Sequence, residues 1–139
     1  MKSTRLMWGI WVAAFLLVTP APARAQSTVD ECKARLDIIQ SDLDAIFLAG
    51  GIGGNNPQQT YTSLTSKLRS AGTKLDQRKY ADALGKLQDF RIAVGTMRDA
   101  AKPKLSAADA NLLLDGDDPS RSPFDEGANG AITCIALLP

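Results

Sequence analysis

The sequence contains no histidine, only two cysteines and few aromatic residues, which make up 6% of its 139 residues. Histidine is the commonest general base and metal ligand near neutral pH, so its absence disfavours the catalytic and metal centres that are usually built on it. Basic and acidic residues are nearly balanced, at 16 and 15, and no basic cluster stands out. Nucleic-acid-binding domains are typically basic along one face, so we expect no nucleic-acid partner.

The N-terminus, residues 1–25, has the composition of a cleaved secretory signal peptide. Lys2 and Arg5 give it a basic start, an apolar stretch follows, and Ala-Arg-Ala at residues 23–25 forms a small-x-small cleavage site. The apolar stretch is shorter than the roughly 20 residues that a membrane-spanning helix needs, which argues against the alternative of an uncleaved anchor. We therefore expect a secreted or periplasmic bacterial protein with one domain, residues 26–139, and no membrane span in the mature chain.

The two cysteines, Cys32 and Cys134, lie near opposite ends of the expected mature chain. In an oxidising compartment an even pair of cysteines usually forms a disulfide. A redox or nucleophilic thiol would need a Cys-x-x-Cys pair or a nearby base, and the sequence has neither. We predict a Cys32–Cys134 disulfide that closes a loop of about 100 residues.

Apolar residues recur at steps of three and four along the chain, which predicts amphipathic helices. No alternating strand pattern of useful length is present. The fold class expected is therefore all-α, a small antiparallel bundle of four to five helices joined by one disulfide. The first expected helix starts at the capping box Thr28-Val29-Asp30-Glu31 and ends at Ala49, and the second starts near Thr60. The third runs from Tyr80 to a stop at Pro103. The fourth starts after a Ser106 cap, and the fifth covers residues 128–138.

Each expected helix has a set of inward-facing positions. These positions are Val29, Cys32, Leu36, Ile39, Leu43 and Ile46; Tyr61, Leu64, Leu68, Ala71 and Leu75; Tyr80, Leu84, Leu87, Phe90, Val94, Met97 and Ala101; the apolar residues Leu112 to Leu114 of the fourth helix; and Ile132, Ile135 and Leu138.

The glycine cluster at residues 50–54 resembles a phosphate-binding loop only superficially. Such a loop follows a strand and, in the Walker type, ends in Gly-Lys-Ser/Thr. Here a helix is expected before the cluster and Asn-Asn-Pro follows it. We interpret it as a flexible connection between two helices.

A polar insertion, residues 115–127, interrupts the last helical region. Asp115, Asp117 and Glu126 fall at positions 1, 3 and 12 of a calcium-binding loop, but proline and serine occupy positions 5 and 6, where the loop turns sharply. Calcium binding is therefore the weaker interpretation, and a mobile, solvated excursion is the stronger one. Phe124 is its one large apolar residue, so this loop is a candidate interaction site.

Acid pairs are the remaining candidates for catalysis. Periodicity places Asp42 and Asp44 on the solvent side of the first helix, and Asp82 and Asp89 on that of the third. A general acid needs burial to raise its pKa, so we expect no catalytic residue, no cofactor and no enzyme activity.

Three segments carry a resemblance to a known family. They are Ser63 to Leu75, Arg78 to Val94 with Tyr80-x-x-Ala-x-x-x-Leu-x-x-Phe90, and Lys104 to Leu113 with Leu105-Ser106. Together they resemble the FIMAH-type helical domain of secreted bacterial proteins, over about residues 60–115 plus 128–138. The resemblance implies a small helical module of an extracellular protein, with no catalytic activity and no functional residues to carry over.

These observations favour an exported, non-enzymatic interaction or structural module. Its partner would be another periplasmic or extracellular protein or surface component. The alternative function is that of a carrier for an apolar small ligand held between the helices, which would require a cavity of several hundred Å³.

Overall fold

The computed structural model describes residues 27–116 and 126–139, and within these ranges the chain is all-helical, with no strand. None of the helices in these ranges is both long and apolar enough to cross a membrane. The expected signal peptide and residues 117–125 of the polar insertion, which include Asp117 and Phe124, lie outside the described residues. The helices are α1 (Val29–Leu48), α2 (Pro57–Asp76), α3 (Tyr80–Asp99), α4 (Ala107–Asp115) and α5 (Gly127–Ala136).

The starts of α1 and α4 are those that the sequence predicts. Thr28 Oγ1 accepts a hydrogen bond from the Glu31 N–H, and Glu31 Oε2 accepts one from the Thr28 N–H, at 3.2 and 2.8 Å. This is the complete capping box. At α4, Ser106 Oγ accepts from the Asp109 N–H at 3.0 Å. Leu105, just before this cap, is buried in the core.

Helix α2 begins earlier than the predicted start near Thr60. Asn56 is its N-cap, with Oδ1 accepting from the Gln59 N–H at 3.1 Å, and Pro57 is its first helical residue. Asparagine is among the best N-cap residues, and proline is favoured at the first helical position because its missing N–H has no partner there. The same residues that end the preceding loop therefore start this helix.

Two helices end in the same backbone motif with different residues in the left-handed position. After α1, Gly50 has φ +74°, its N–H donates to Phe47 O, and the Gly51 N–H donates to Ile46 O. After α2, Arg78 has φ +56°, and the N–H groups of Arg78 and of the next residue donate in the same way. This arrangement is the Schellman motif. Because arginine replaces the usual glycine there, the sequence shows no clear punctuation between α2 and α3.

The predicted end of α3 at Pro103 is wrong by about one turn. The helix ends at Asp99, and the next residue, Ala100, has an extended backbone. The Lys104 N–H instead donates to Met97 O at 2.9 Å, which folds the connection back over the helix end. Ala101, expected inside, is consequently exposed.

One continuous core joins all five helices, and it contains most of the predicted inward-facing positions. In α3 the predicted inward-facing residue Leu84 is only partly buried, and the residue before it, Ala83, is fully buried instead. Ile52, in the glycine-rich connection, is 3% exposed, and the Gly53 N–H donates to Lys104 O at 2.7 Å. The connection is therefore anchored to the core at this point. The predicted inward-facing residues that are only half-buried are Val29, Tyr61, Tyr80, Leu84, Met97, Leu112, Ile132 and Leu138.

Helix α5 is packed against α1, α3 and α4 through small residues. Gly127, Ala128, Gly130 and Ala131 are all buried. A Cβ at Gly127, whose φ is +57°, would lie 2.5 Å from the carbonyl carbon of Leu114, so only glycine allows this close approach to α4.

The predicted disulfide is present. Cys32 and Cys134 are bonded, with their Cα atoms 5.5 Å apart and a sequence separation of 102. Both are almost fully buried, at 0% and 4% exposure, so the bond lies within the core where α1 meets α5.

Candidate binding groove

A groove of about 490 Å³ runs between α1 and α2 and is open to solvent. The helices are antiparallel, because Lys33 lies opposite Asp76 while Asp44 lies opposite Tyr61. The α1 residues that line it recur at helical spacing, so one polar edge of this helix faces the groove along three turns. The lining residues are Lys33, Leu36, Asp37, Gln40 and Asp44 of α1 and Tyr61, Thr65, Leu68, Arg69, Gly72, Thr73 and Asp76 of α2. We call this the α1–α2 groove.

A hydrogen-bond network fixes one end of the α1–α2 groove. Asp44 Oδ1 accepts from the Tyr61 hydroxyl at 2.8 Å and from Gln40 Nε2 at 2.5 Å. Gln40 Nε2 also donates to Thr65 Oγ1 at 3.3 Å. The side chains are half-buried, and each is held by at least one partner across or along the groove. The network therefore presents oriented polar atoms to a ligand without further rearrangement.

Tyr61 connects this network to an aromatic contact. Its ring stacks on that of Phe47, with centroids 4.3 Å apart and planes inclined by 20°. The hydrogen bond to Asp44 and partial burial raise the pKa of the Tyr61 phenol. The phenol therefore stays protonated and remains a donor to the carboxylate over a wider pH range than in an unfolded chain.

An ion pair spans the other end of the groove. Lys33 Nζ lies 2.7 Å from Asp76 Oδ1. This hydrogen-bonded carboxylate raises the pKa of Lys33. Both side chains are substantially exposed, so the pair contributes little to stability, and its main effect is to cancel two charges at this end.

The floor of the groove is apolar and includes a position without a side chain. Leu36 and Leu68 are buried below the polar rims. A Cβ at Gly72 would meet only Leu36 Cδ1, at 3.8 Å, which is an ordinary contact distance. A glycine in the middle of a helix costs roughly 1 kcal/mol relative to alanine. Here it leaves space between the two helices.

The candidate calcium ligands are only partly described by the structure. Asp115 is the last residue of α4, and its Oδ1 accepts from Asn129 Nδ2 at 2.7 Å. Glu126 is the N-cap residue of α5 and makes its own contacts. Asp117 and the candidate interaction residue Phe124 lie outside the described residues. Within residues 27–116 and 126–139, no three acidic or cysteine side chains are grouped as metal ligands.

Of the acids considered for catalysis, Asp44 is not where periodicity places it. It was expected on the solvent side of α1, but it faces α2 and is half-buried. Asp82 and Asp89 are exposed on α3 and lie 3.8 Å from Lys74 and Lys86, respectively. The sequence signal for the groove was the run Lys33, Asp37, Gln40 and Asp44, which is spaced like an apolar stripe but composed of polar residues.

A second groove, with a larger volume of about 730 Å³, lies between the connections that follow α1 and α3. Lys102 and Lys104 line it, and both are exposed. The side-chain hydrogen bonds on its rim belong to the N-cap of α2, where Asn56 and Gln59 contact each other. Its polar atoms serve the helix start, so the α1–α2 groove is the better-ordered candidate.

Comparison with protein-family models, with curated proteins and with solved structures found no match to this chain. The resemblance to the FIMAH-type domain therefore stays a prediction from the sequence.

Proposed function

We propose that this chain is an exported, non-enzymatic module that binds another periplasmic or extracellular component through the α1–α2 groove. The observation that carries the proposal is the fixed network of Asp44, Tyr61, Gln40 and Thr65 above an apolar floor. Hydrogen-bonding groups that are already oriented reduce the entropy lost on binding. Polar rims around an apolar floor are also the usual anatomy of a recognition surface.

Export is supported by two independent features. Residues 1–25 have the composition of a signal peptide, and the Cys32–Cys134 bond is of a kind that persists in oxidising compartments. The resemblance to helical modules of secreted bacterial proteins agrees with both. The partner in this proposal is thus a component that shares that compartment.

The groove supports binding better than catalysis. Asp44 is its most enclosed acid, and both of its hydrogen-bond donors are neutral groups that leave it acting as an acceptor. Another acid of the groove, Asp37, lies seven residues away on the same helix, which is about 10 Å along the axis. Retaining glycosidases, by comparison, place their two carboxyl groups about 5 Å apart.

The groove also favours a hydrogen-bonding partner over an apolar ligand. Both walls carry charged, amide or hydroxyl side chains, and the apolar surface is confined to the floor. Seating an apolar molecule there would remove water from these groups without replacing their hydrogen bonds, which costs free energy.

Filling the groove tests the proposal. In Gly72→Gln a long side chain would occupy the open space next to Leu36. Gly95→Gln is the matched control, because Gly95 lies in α3 and a Cβ there meets nothing within 4 Å. Both proteins, tagged and produced by export from the full-length chain, would be used for affinity capture from native periplasm or culture fluid. We expect a component that wild type and Gly95→Gln retain and Gly72→Gln loses; equal retention by all three would contradict the proposal.

A further inference from the structure

We propose that the Asp44 end of the α1–α2 groove binds an organic cation, namely the ammonium or guanidinium group of a lysine or arginine side chain on the partner. This inference rests on the proposed function and specifies the chemistry that the groove recognises. It is argued from the charges of the groove, the hydrogen bonds of one carboxylate and the surfaces around it.

The groove has an excess of negative charge. Five charged side chains line it, and the Lys33–Asp76 pair cancels two of them. Asp37, Asp44 and Arg69 form no ion pair within 4 Å with any residue of the described ranges. The carboxylates of Asp37 and Asp44 therefore outnumber the remaining cation, Arg69, which is exposed on the opposite wall.

Asp44 is held in place but retains acceptor capacity. Its Oδ1 accepts both hydrogen bonds, from the Tyr61 hydroxyl and the Gln40 amide, while its Oδ2 accepts from no described residue. An ionised carboxylate offers about four lone-pair sites. A hydrogen bond to a cation is roughly twice as strong as one to a neutral donor, so a cation is the ligand that gains most from this oxygen.

The surface next to Asp44 suits an organic cation. Tyr61 lines the groove, and Phe47 stacks on its ring. Cations are attracted to the faces of aromatic rings. The apolar floor of Leu36 and Leu68 lies farther along the groove, because eight helical residues, about 12 Å, separate Leu36 from Asp44, and it can contact other parts of the partner.

Neither an anion nor a shared metal ion fits this end of the groove. An anion would meet Asp37 and Asp44 and would have only Arg69 in its favour. A metal ion could not be shared by the two carboxylates, because seven helical residues separate them by about 10 Å along the axis. Lysine and arginine side chains and free polyamines are all organic cations, so the experiment must distinguish a side chain from a free polyamine.

The test is a titration followed by amide shifts in NMR spectra of the exported, disulfide-bonded protein. The probe is N-acetyl-lysine methylamide, and its uncharged counterpart is N-acetyl-norleucine methylamide, which has a similar stem. We expect saturable shifts around Asp44 with the lysine probe only. Asp44→Asn, which still offers an oxygen to Tyr61, should weaken binding by about tenfold or more. The control Asp89→Asn, on an exposed acid of α3, should bind like wild type.

Arg69→Gln supplies a test of opposite sign. Removing the one unpaired cation of the groove should tighten binding of the lysine probe severalfold, which a purely structural role of the groove would not produce. This variant leaves Asp44 and its donors untouched, so it keeps the proposal falsifiable even if Asp44→Asn folds poorly. Unchanged or weaker binding would overturn the cation site.

The remaining outcomes are also decisive. Equal binding of the norleucine probe, or unchanged binding by Asp44→Asn, would overturn the cation site. Binding of spermidine with no response to the lysine probe would overturn the assignment to a side chain. A captured component that Gly72→Gln loses but Asp44→Asn retains would refute the cation site and leave the proposed function intact.

Discussion

Helix α1 has two faces that are built differently. Against α5 it presents Cys32 among small buried residues, and the contact is closed by a covalent bond. Against α2 it presents Asp44 and a row of polar side chains along an open groove. The first face excludes water and contributes stability, whereas the second keeps polar atoms accessible above the buried floor of Leu36 and Leu68. In the proposed function, one helix therefore carries a stabilising surface on one side and a binding surface on the other.

The largest effect should come from breaking the closed face at its disulfide. Cys32→Ser removes a crosslink that closes a loop of about 100 residues, and the chain-entropy account gives a loss of about 4–5 kcal/mol in the free energy of unfolding as an upper figure. Urea denaturation followed by circular dichroism measures it. Reduced wild type should unfold at nearly the same midpoint as Cys32→Ser. An unchanged midpoint, or two titratable thiols in the unreduced exported protein, would contradict this assignment.

An intermediate effect should come from overfilling the same face. Ala131 is fully buried in α5, so Ala131→Leu forces extra volume between packed helices and should cost about 1–3 kcal/mol. Ala136→Leu is the matched control, because Ala136 lies in the same helix and is exposed. If both variants unfold at the same urea concentration as wild type, the contact is looser than the structure indicates.

The groove face should tolerate change with little loss of stability. Gly72→Gln adds a side chain where there is room and removes a mid-helix glycine, so its free energy of unfolding should equal or exceed that of wild type by up to about 1 kcal/mol. Gly95→Gln should gain a similar amount for the same reason. A loss of several kcal/mol in Gly72→Gln alone would mean that the groove is part of the core, and the contrast between the two faces would fail.

The smallest effect is a shift in the ionisation of Tyr61. Its pKa is raised, first by the hydrogen bond to Asp44, so the bond contributes fully below the unfolded tyrosine pKa of about 10 and is lost as pH rises through the higher folded pKa. In a Tyr80→Phe background, tyrosinate absorbance reports Tyr61 alone. Adding Asp44→Asn should lower the titration midpoint. An unchanged midpoint would show that the hydrogen bond does not control this phenol.

The closed face was largely predictable from sequence, and the groove was not. Steps of three and four identify Cys32, Ile39 and Leu43 as core because burial of apolar residues follows helical periodicity. The same periodicity treats Asp44 as solvent-facing, since it cannot show that a neighbouring helix carries Tyr61 opposite. That pairing joins residues 17 positions apart and depends on how α1 and α2 pack.

Local chemistry explains the errors at helix boundaries. Asn56 and Pro57 are favoured in loops and at helix starts alike, so the sequence allowed both interpretations. Arg78 occupies a left-handed position that usually signals itself by glycine. Ile52 lies between glycines, and only the fold shows that it reaches the core.

In the proposed function the α1–α2 groove, rather than another face of comparable exposure, contacts the partner. Thr73 and Thr96 allow a matched test, because both are exposed and each hydroxyl donates to the carbonyl four residues earlier in its own helix. Thr73 lines the groove and Thr96 lies on α3. A photocrosslinking amino acid would replace each in turn, in cells that carry the native gene. The account predicts a discrete crosslinked product from position 73 that is lost on adding Gly72→Gln. Crosslinking from position 96 alone, or from neither position, would contradict it.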